Sequence, residues 1–140
     1  MELAQHLCVN LIKQYPNDMF VAIWAASTAG RGNGIGDGLL FNMNKIQIFR
    51  LRHSSAKAID DSALKSLLHR VVFESKSIIN NIERATNLLD QINKMLPDYN
   101  KTVFVTDANS NHRPEVYGSH KGLAYFWEPE FGTHVTVVLY

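Results

Sequence analysis

The sequence predicts an α+β fold with a mostly antiparallel sheet, an N-terminal helix and one long or broken central helix. Apolar residues recur at helical spacing near the N-terminus and again across residues 60–96. Short apolar or alternating runs, which are typical of strands, lie on both sides of that second region. Strand segments adjoining in sequence are joined by short connections, which favour antiparallel pairing. We therefore expect one α+β domain over residues 1–140, in the order α-β-β-β-α-β-β-β.

The N-terminal segment 3–15 is expected to form an amphipathic helix that ends at Pro16. Its main apolar stripe contains Leu3, Leu7, Leu11 and Tyr15. Cys8 lies on the same side of this helix. We interpret it as a small buried residue rather than a nucleophile, because activated cysteines sit at helix starts beside a base.

Strands are expected on both sides of the central helix. Residues 19–27 are apolar at nearly every position, which suits a strand buried on both faces. The other strand predictions are a hairpin of 39–42 and 46–52, a strand over 102–107, and a closing hairpin of 123–128 and 133–140.

The segment 60–96 carries the strongest helical pattern, with Asp60 as a candidate N-cap and Pro97 as its end. An unbroken helix here would be about 54 Å long, whereas a globule of this size is on the order of 37 Å across. The helix therefore either breaks near residues 75–77 or projects and pairs with a second copy. The sustained apolar repeat favours a homodimer through residues 60–96. The expected seam contains Leu64, Leu68, Val71, Ile78, Ile82, Ala85, Leu89, Ile92 and Leu96.

Composition narrows the class of protein. The formal net charge is +1, and nucleic-acid-binding modules usually carry a concentrated basic excess. A single cysteine fits a reducing compartment. No apolar run approaches the roughly 18 residues of a membrane span, and the N-terminus lacks the pattern of a secretory signal. We expect a cytoplasmic protein with no membrane segment and no cofactor.

The glycine-rich segment 30–38 alternates glycine with other residues. It lacks the G-x-G-x-x-G spacing before a helix and the Gly-Lys-Ser/Thr of a P-loop, so no known phosphate motif is present. Three interpretations stay open: a flexible or closely packed connection, a contact with a partner, and a site for a small anion. The candidate residues for binding a ligand or partner are Arg31, Gly32, Asn33, Gly34, Gly36 and Asp37.

The polar loop 108–121 is the best candidate for chemistry. A metal-independent ribonuclease needs a base, an acid and cations around the phosphorane. The residues of suitable type are His112, Arg113, His120 and Lys121. A metal site is disfavoured because the histidine spacing matches no standard ligand pattern. The same composition is also typical of an ordinary solvated loop.

Aromatic residues follow this loop, and Tyr117 and Trp127 are candidates for partner contacts. Our first hypothesis is a small cytoplasmic binding protein that docks a macromolecule or ligand, in the manner of an immunity or inhibitor protein of bacterial or phage origin. The alternative is a metal-independent, toxin-like ribonuclease, and only that alternative requires nucleic acid as a partner. The sequence leaves open whether the protein is an enzyme.

Overall fold

The structure is a computed structural model that describes residues 2–32, 35–41 and 45–140. Within these ranges the helices are α1 (Glu2–Gln14), α2 (Asp61–Glu74) and α3 (Asn81–Met95). The strands are β1 (Asp18–Trp24), β2 (Thr28–Gly32), β3 (Ile35–Phe41), β4 (Ile46–Arg52), β5 (Lys101–Thr106), β6 (Glu115–Tyr117), β7 (Gly122–Phe126) and β8 (His134–Leu139). The predicted α+β class, with an N-terminal helix and a broken central helix, is confirmed.

The strands divide between two stacked antiparallel sheets. Sheet one has the order β3-β4-β1-β6, and sheet two has the order β2-β5-β8-β7. Their facing surfaces bury a common core that includes Met19 and Val21 of sheet one and Phe104 and Val138 of sheet two. Helix α1 covers the outer face of sheet one, and α2 and α3 cover the outer face of sheet two. The result is four layers in the order α, β, β, α.

Strand β1 is buried on both faces, as its sequence predicts. Phe20 and Ala22 face α1, whereas Met19, Val21 and Ile23 face sheet two. This alternation follows from the two-residue period of a strand placed between two layers. The strand ends at Trp24 rather than at residue 27, because the chain turns there to enter sheet two.

The central helix breaks at a 3₁₀ turn over Ser75–Ser77. Asp60 caps α2 through the N–H of Ala63, at 3.1 Å, and the Asn80 side chain caps α3. Four residues of the expected seam, Leu64, Leu68, Ala85 and Ile92, are buried against sheet two, whereas Val71, Leu89 and Leu96 are only partly buried. Val72 and Leu88, which were not predicted, complete the buried face. The prediction was wrong for Ile82, whose exposed fraction is 48%, because the break shifts the helical phase.

A buried arginine holds this break together. Arg84 of α3 is 1% exposed. Its guanidinium donates to the Ser75 Oγ at 2.9 Å, to the Val72 carbonyl at 3.1 Å and to the Phe131 carbonyl at 2.9 Å, and it also donates to both oxygens of Thr133. The acceptors are all neutral, and burial lowers the pKa of Arg84. The carbonyl end of α2 supplies partial negative charge to the cation.

Strands β2 and β6 were not predicted, since both fall in segments that read as loops. The alternating glycines of β2 are explained by close packing on its paired strand. A Cβ at Gly32 would lie 2.3 Å from the Thr102 Oγ1 and 2.8 Å from the Lys101 carbonyl oxygen. A Cβ at Gly30 would lie 3.0 Å from the Phe104 ring. These contacts support the closely packed interpretation for these two glycines.

Candidate functional site

The loop that follows β5 brings planar and cationic side chains onto both tryptophans of the chain. His112 stacks on Trp24, with ring centroids 4.5 Å apart. The Arg113 guanidinium lies 4.9 Å from the Trp127 ring centroid and 5.1 Å from that of Tyr125. His134 stacks nearly parallel on Trp127 at 4.0 Å. We name this set the aromatic–arginine surface: Trp24, His112, Arg113, Tyr125, Trp127 and His134.

Hydrogen bonds hold two aromatic rings of this surface, those of Tyr125 and Trp127, in place. The Tyr125 hydroxyl donates to the Pro114 carbonyl at 3.0 Å, and the Trp127 indole N–H donates to the Thr136 hydroxyl at 3.2 Å. Both rings therefore have a fixed orientation on sheet two. The loop itself is tied down by the backbone N–H of Ser110, which donates to the Asp107 carbonyl at 2.9 Å.

The His134 imidazole is held in its neutral form. Its Nε2 lies 3.1 Å from the Ala108 carbonyl oxygen, so Nε2 carries the proton that is donated. Its Nδ1 is buried without a hydrogen-bond partner among the described residues. Burial lowers the pKa of His134 below its ordinary value, and the nearby charge of Arg113 lowers it further. The ring therefore acts as a flat, uncharged support for Trp127 at neutral pH.

Arg113 is exposed, and no carboxylate of the described residues lies within ion-pair distance of it. It lines a small cavity of about 200 Å³ with Lys65, Tyr125, Trp127 and Glu128. Lys65 is paired with Glu128 at 2.5 Å, so this pair supplies a nearly neutral rim. Among the residues that line this cavity, Arg113 is therefore the cation available to a partner. Its guanidinium lies against the rings of Tyr125 and Trp127.

The four predicted catalytic residues are not gathered into one cluster. His112 lies on Trp24, whereas the His120 Nε2 is 3.2 Å from the Asp61 carboxylate at the start of α2. Lys121 takes part in main-chain pairing, with its N–H donating to the Leu139 carbonyl at 2.7 Å. No contact between the two histidines is recorded in the described ranges. Their joint action in catalysis remains a prediction.

The predicted partner-binding residues lie in several places. Arg31 is exposed and donates to the neighbouring Gly30 carbonyl at 2.9 Å, and Gly32 packs on β5. Gly36 and Asp37 belong to β3, at the outer edge of sheet one. Tyr117 packs with the α1 layer, donates to the Glu115 carboxylate, and has a pKa raised by burial and by that carboxylate. Asn33 and Gly34 lie outside the described residues.

Trp127 is thus the one predicted partner residue that falls in the aromatic–arginine surface, where it joins His112 and Arg113 from the predicted catalytic set. Trp24, Tyr125 and His134 were not among the predicted site residues. One feature of the sequence could have indicated this surface. Both tryptophans lie where a predicted strand ends, and rings at such positions lie at the margin of a sheet.

A larger cavity of about 520 Å³ opens beside β2. It is lined by all residues of 25–31, by Ile23 and Phe49 of sheet one, by the start of α3, and by Asp107. Its size is within the usual range for ligand-binding cavities. The Asp107 carboxylate accepts a hydrogen bond from the Asn81 side-chain amide at 2.7 Å.

Within the described ranges, no three His, Cys, Asp or Glu side chains are arranged to hold a metal ion. Nor does any helix there combine the length and apolar character needed to cross a membrane. In comparisons with known proteins, the chain matches no protein-family model, no curated protein and no solved structure.

Proposed function

We propose that this chain is a cytoplasmic binding protein that docks a macromolecular partner through the aromatic–arginine surface. The observation that carries this proposal is the exposed Arg113 guanidinium lying over two aromatic rings. Trp, Tyr and Arg are the residues that most often dominate the affinity of protein interfaces. The partner is a protein that places a carboxylate on Arg113, because a planar guanidinium binds that group with two parallel hydrogen bonds.

The surface is organised before any partner arrives. Stacking fixes His112 and His134 on the tryptophans, and hydrogen bonds fix Tyr125 and Trp127. A surface held in this way loses little side-chain entropy on association, which favours tight binding. An immunity or inhibitor protein of bacterial or phage origin needs such a rigid docking surface. The buried, un-ionised Cys8 is consistent with residence in the reducing cytoplasm.

The experiment begins with a genomic-fragment two-hybrid library from the source organism, followed by affinity measurements on the purified partner. Replacing Arg113 with Ala is expected to weaken binding by about 30-fold, the effect of losing an interface residue worth about 2 kcal/mol. Arg113→Lys should give an intermediate loss, because it keeps the charge but not the planar fork. Both tryptophans belong to the surface, so quenching or enhancement of intrinsic fluorescence reports its occupation directly.

Arg70→Ala is the matched control, because Arg70 is an exposed arginine on α2 that pairs with Glu74. It should leave the affinity unchanged. Equal binding by the Arg113 and Arg70 variants would refute the proposed surface.

The homodimer through residues 60–96 is part of the same proposal in a modified form. The apolar seam of α2 and α3 packs against sheet two, so a second copy would have to contact the outer face of these helices. That face exposes Leu67, Phe73, Ile79 and Ile82. Light scattering measures the mass in solution. A monomeric mass at a protein concentration of about 100 μM, at which even a weak dimer should form, would exclude the homodimer.

The ribonuclease alternative is favoured by one contact, the pairing of His120 with Asp61 at 3.2 Å. A carboxylate that orients an imidazole is a common arrangement for a general base. Purified protein would be incubated with RNA in the presence of a chelator, beside the His120→Ala variant. Cleavage that is lost in the variant would support the enzyme, and intact RNA at high protein concentration would exclude it.

A further inference from the structure

Strand β2 is an edge strand of sheet two, and its open side faces the 520 Å³ cavity. The cavity is lined by consecutive residues, from Thr28 to Arg31 of the strand and by the three residues before it. Successive side chains of a strand point to opposite faces of the sheet. A cavity that touches all of them must therefore run along the edge of the strand, where the main chain is accessible.

The hydrogen-bonding direction of each β2 residue follows from its pairing with β5. The Asp107 N–H donates to the Ser27 carbonyl at 2.9 Å, directly beyond the pair Thr28 and Thr106. Antiparallel strands alternate between residues that bond the partner strand and residues that point away from it. Ser27 bonds toward β5, so the N–H and C=O groups of Thr28 and Gly30 point outward into the cavity.

A charged side chain partly covers this edge. The outward carbonyl of Gly30 accepts a hydrogen bond from the Arg31 guanidinium at 2.9 Å. Charged residues on an edge strand are a common protection against unwanted pairing with other strands. Arg31 is exposed, so its guanidinium can swing into water and uncover the carbonyl.

The walls of the cavity limit what can approach the edge. Ile82 at the start of α3 stands on one side, and Ile23 and Phe49 of sheet one stand on the other. A strand added to β2 would lie between Ile82 on one side and Ile23 and Phe49 on the other. A second copy would have to bring the same walls along with its own β2 edge, so an extended peptide segment is the simpler occupant.

Charge is asymmetric along the cavity. Asp107 closes the end beside Ser27, and its carboxylate has no cationic partner among the described residues. Its recorded side-chain hydrogen bond comes from the Asn81 amide. A basic side chain on the incoming segment complements this end.

We propose that the edge of β2 binds an extended peptide segment of a partner protein as an added strand. The peptide main chain bonds Thr28 and Gly30, its apolar side chains alternate between Phe49 and Ile82, and a lysine or arginine lies beside Asp107. This mode of recognition uses main-chain hydrogen bonds for affinity and alternate side-chain pockets for specificity. The site shares no residue with the aromatic–arginine surface and does not depend on the function proposed for that surface.

The test uses the full chain and peptides selected from a phage-displayed library of random heptapeptides. Each selected peptide is synthesised in three forms. One is unmodified, one is N-methylated at its odd-numbered residues, and one is N-methylated at its even-numbered residues. Only one set of peptide N–H groups faces β2 in an added strand. Methylation of that set should weaken binding more than tenfold, and methylation of the other set should change it less than twofold.

Two variants locate the site. Arg31→Ala should strengthen binding severalfold, because it uncovers the Gly30 carbonyl. Asp107→Asn should weaken a peptide with a basic residue about tenfold and leave its norleucine analogue unchanged. Amide resonances of Thr28 and Gly30 should shift when the unmodified peptide is added.

Four results would overturn the proposal. The first is equal binding of both methylated sets, and the second is that the selection recovers no peptide. The third is self-association of the Arg31→Ala protein through β2 without peptide binding, which would make a second copy the occupant. The fourth is resonance shifts confined to Arg113, Tyr125, Trp127 and His134, which would exclude the β2 site while leaving the aromatic–arginine surface supported.

Discussion

Replacing Arg84 with Met tests whether the buried guanidinium stabilises the break in the central helix. Methionine keeps much of the apolar stem of the side chain and removes the donors. The carbonyl oxygens of Val72, Phe131 and Thr133 then lose the N–H groups that bond them at 2.9 to 3.1 Å. Arg84 is 1% exposed, so water does not readily replace these donors.

The expected effect is a balance of two terms. A buried polar group left without a partner costs about 1–3 kcal/mol. The Phe131 carbonyl and both Thr133 oxygens lose their donors, whereas the Val72 carbonyl keeps the Ser75 hydroxyl as a donor at 2.6 Å. Removing the guanidinium recovers its desolvation penalty, which is several kcal/mol for a buried ion. Because the half-buried Thr133 can turn to water, the Phe131 carbonyl is the main acceptor left without a donor, and we expect a net loss of about 1 kcal/mol in the free energy of unfolding.

Urea unfolding followed by circular dichroism measures this loss. With a denaturant slope of about 2 kcal/mol per molar, the midpoint should fall by about 0.5 M. The unfolding midpoint of Arg84→Lys should lie between those of wild type and Arg84→Met, since an ammonium cannot reach all the acceptors. Arg70→Met removes an exposed arginine from α2 and should leave the midpoint unchanged. An unfolding midpoint of the Arg84→Met variant equal to that of wild type would refute the reasoning, because the hydrogen bonds would then only offset desolvation.

Three further predictions concern other parts of the fold. Burial raises the pKa of the Cys8 thiol to about 12, so folded protein should react slowly with a thiol reagent. Unfolded protein should react at once, and rapid labelling of the folded protein would contradict the prediction. The pKa of His134 is lowered below 6.5, so its contribution to stability is present above pH 6.5 and is lost as the pH falls below that value. The melting temperature of the His134→Gln variant should therefore depend less on pH between 6.5 and 5, about the range in which a histidine titrates, and an identical dependence would exclude this source. Gly32→Ala should lower stability by about 2 kcal/mol in urea unfolding, because its Cβ meets the Lys101 carbonyl at 2.8 Å, and a neutral effect would show that β2 can shift away.

Local patterns in the sequence were sufficient for the elements that depend on near neighbours. The stripe of α1, the alternation of β1 and the cap at Asp60 involve residues within one or two turns of each other. The closing hairpin forms across a short connection, so its pairing was also predictable. Hydrophobic spacing and capping act over such distances irrespective of the remaining fold.

The candidate site was only partly predictable. The loop 108–121 was selected from the sequence as the best candidate for chemistry, and it supplies His112 and Arg113 of the aromatic–arginine surface. Its composition did not indicate that these two residues would lie on Trp24 and Trp127, which belong to different sheets. The expected grouping with His120 reflected proximity in sequence, whereas β6 carries the chain away between the two positions.

The sequence by itself determined where the helices and most of the strands form, and which faces of the helices are apolar. Tertiary structure decided the division into two sheets, because β2 is rich in glycine and forms by pairing with β5, whose Thr106 is 78 positions from Thr28. It also decided the break in the central helix, where Arg84 links the end of α2 to residues 131–133. Such contacts depend on how distant segments meet, and local spacing carries no information about that meeting.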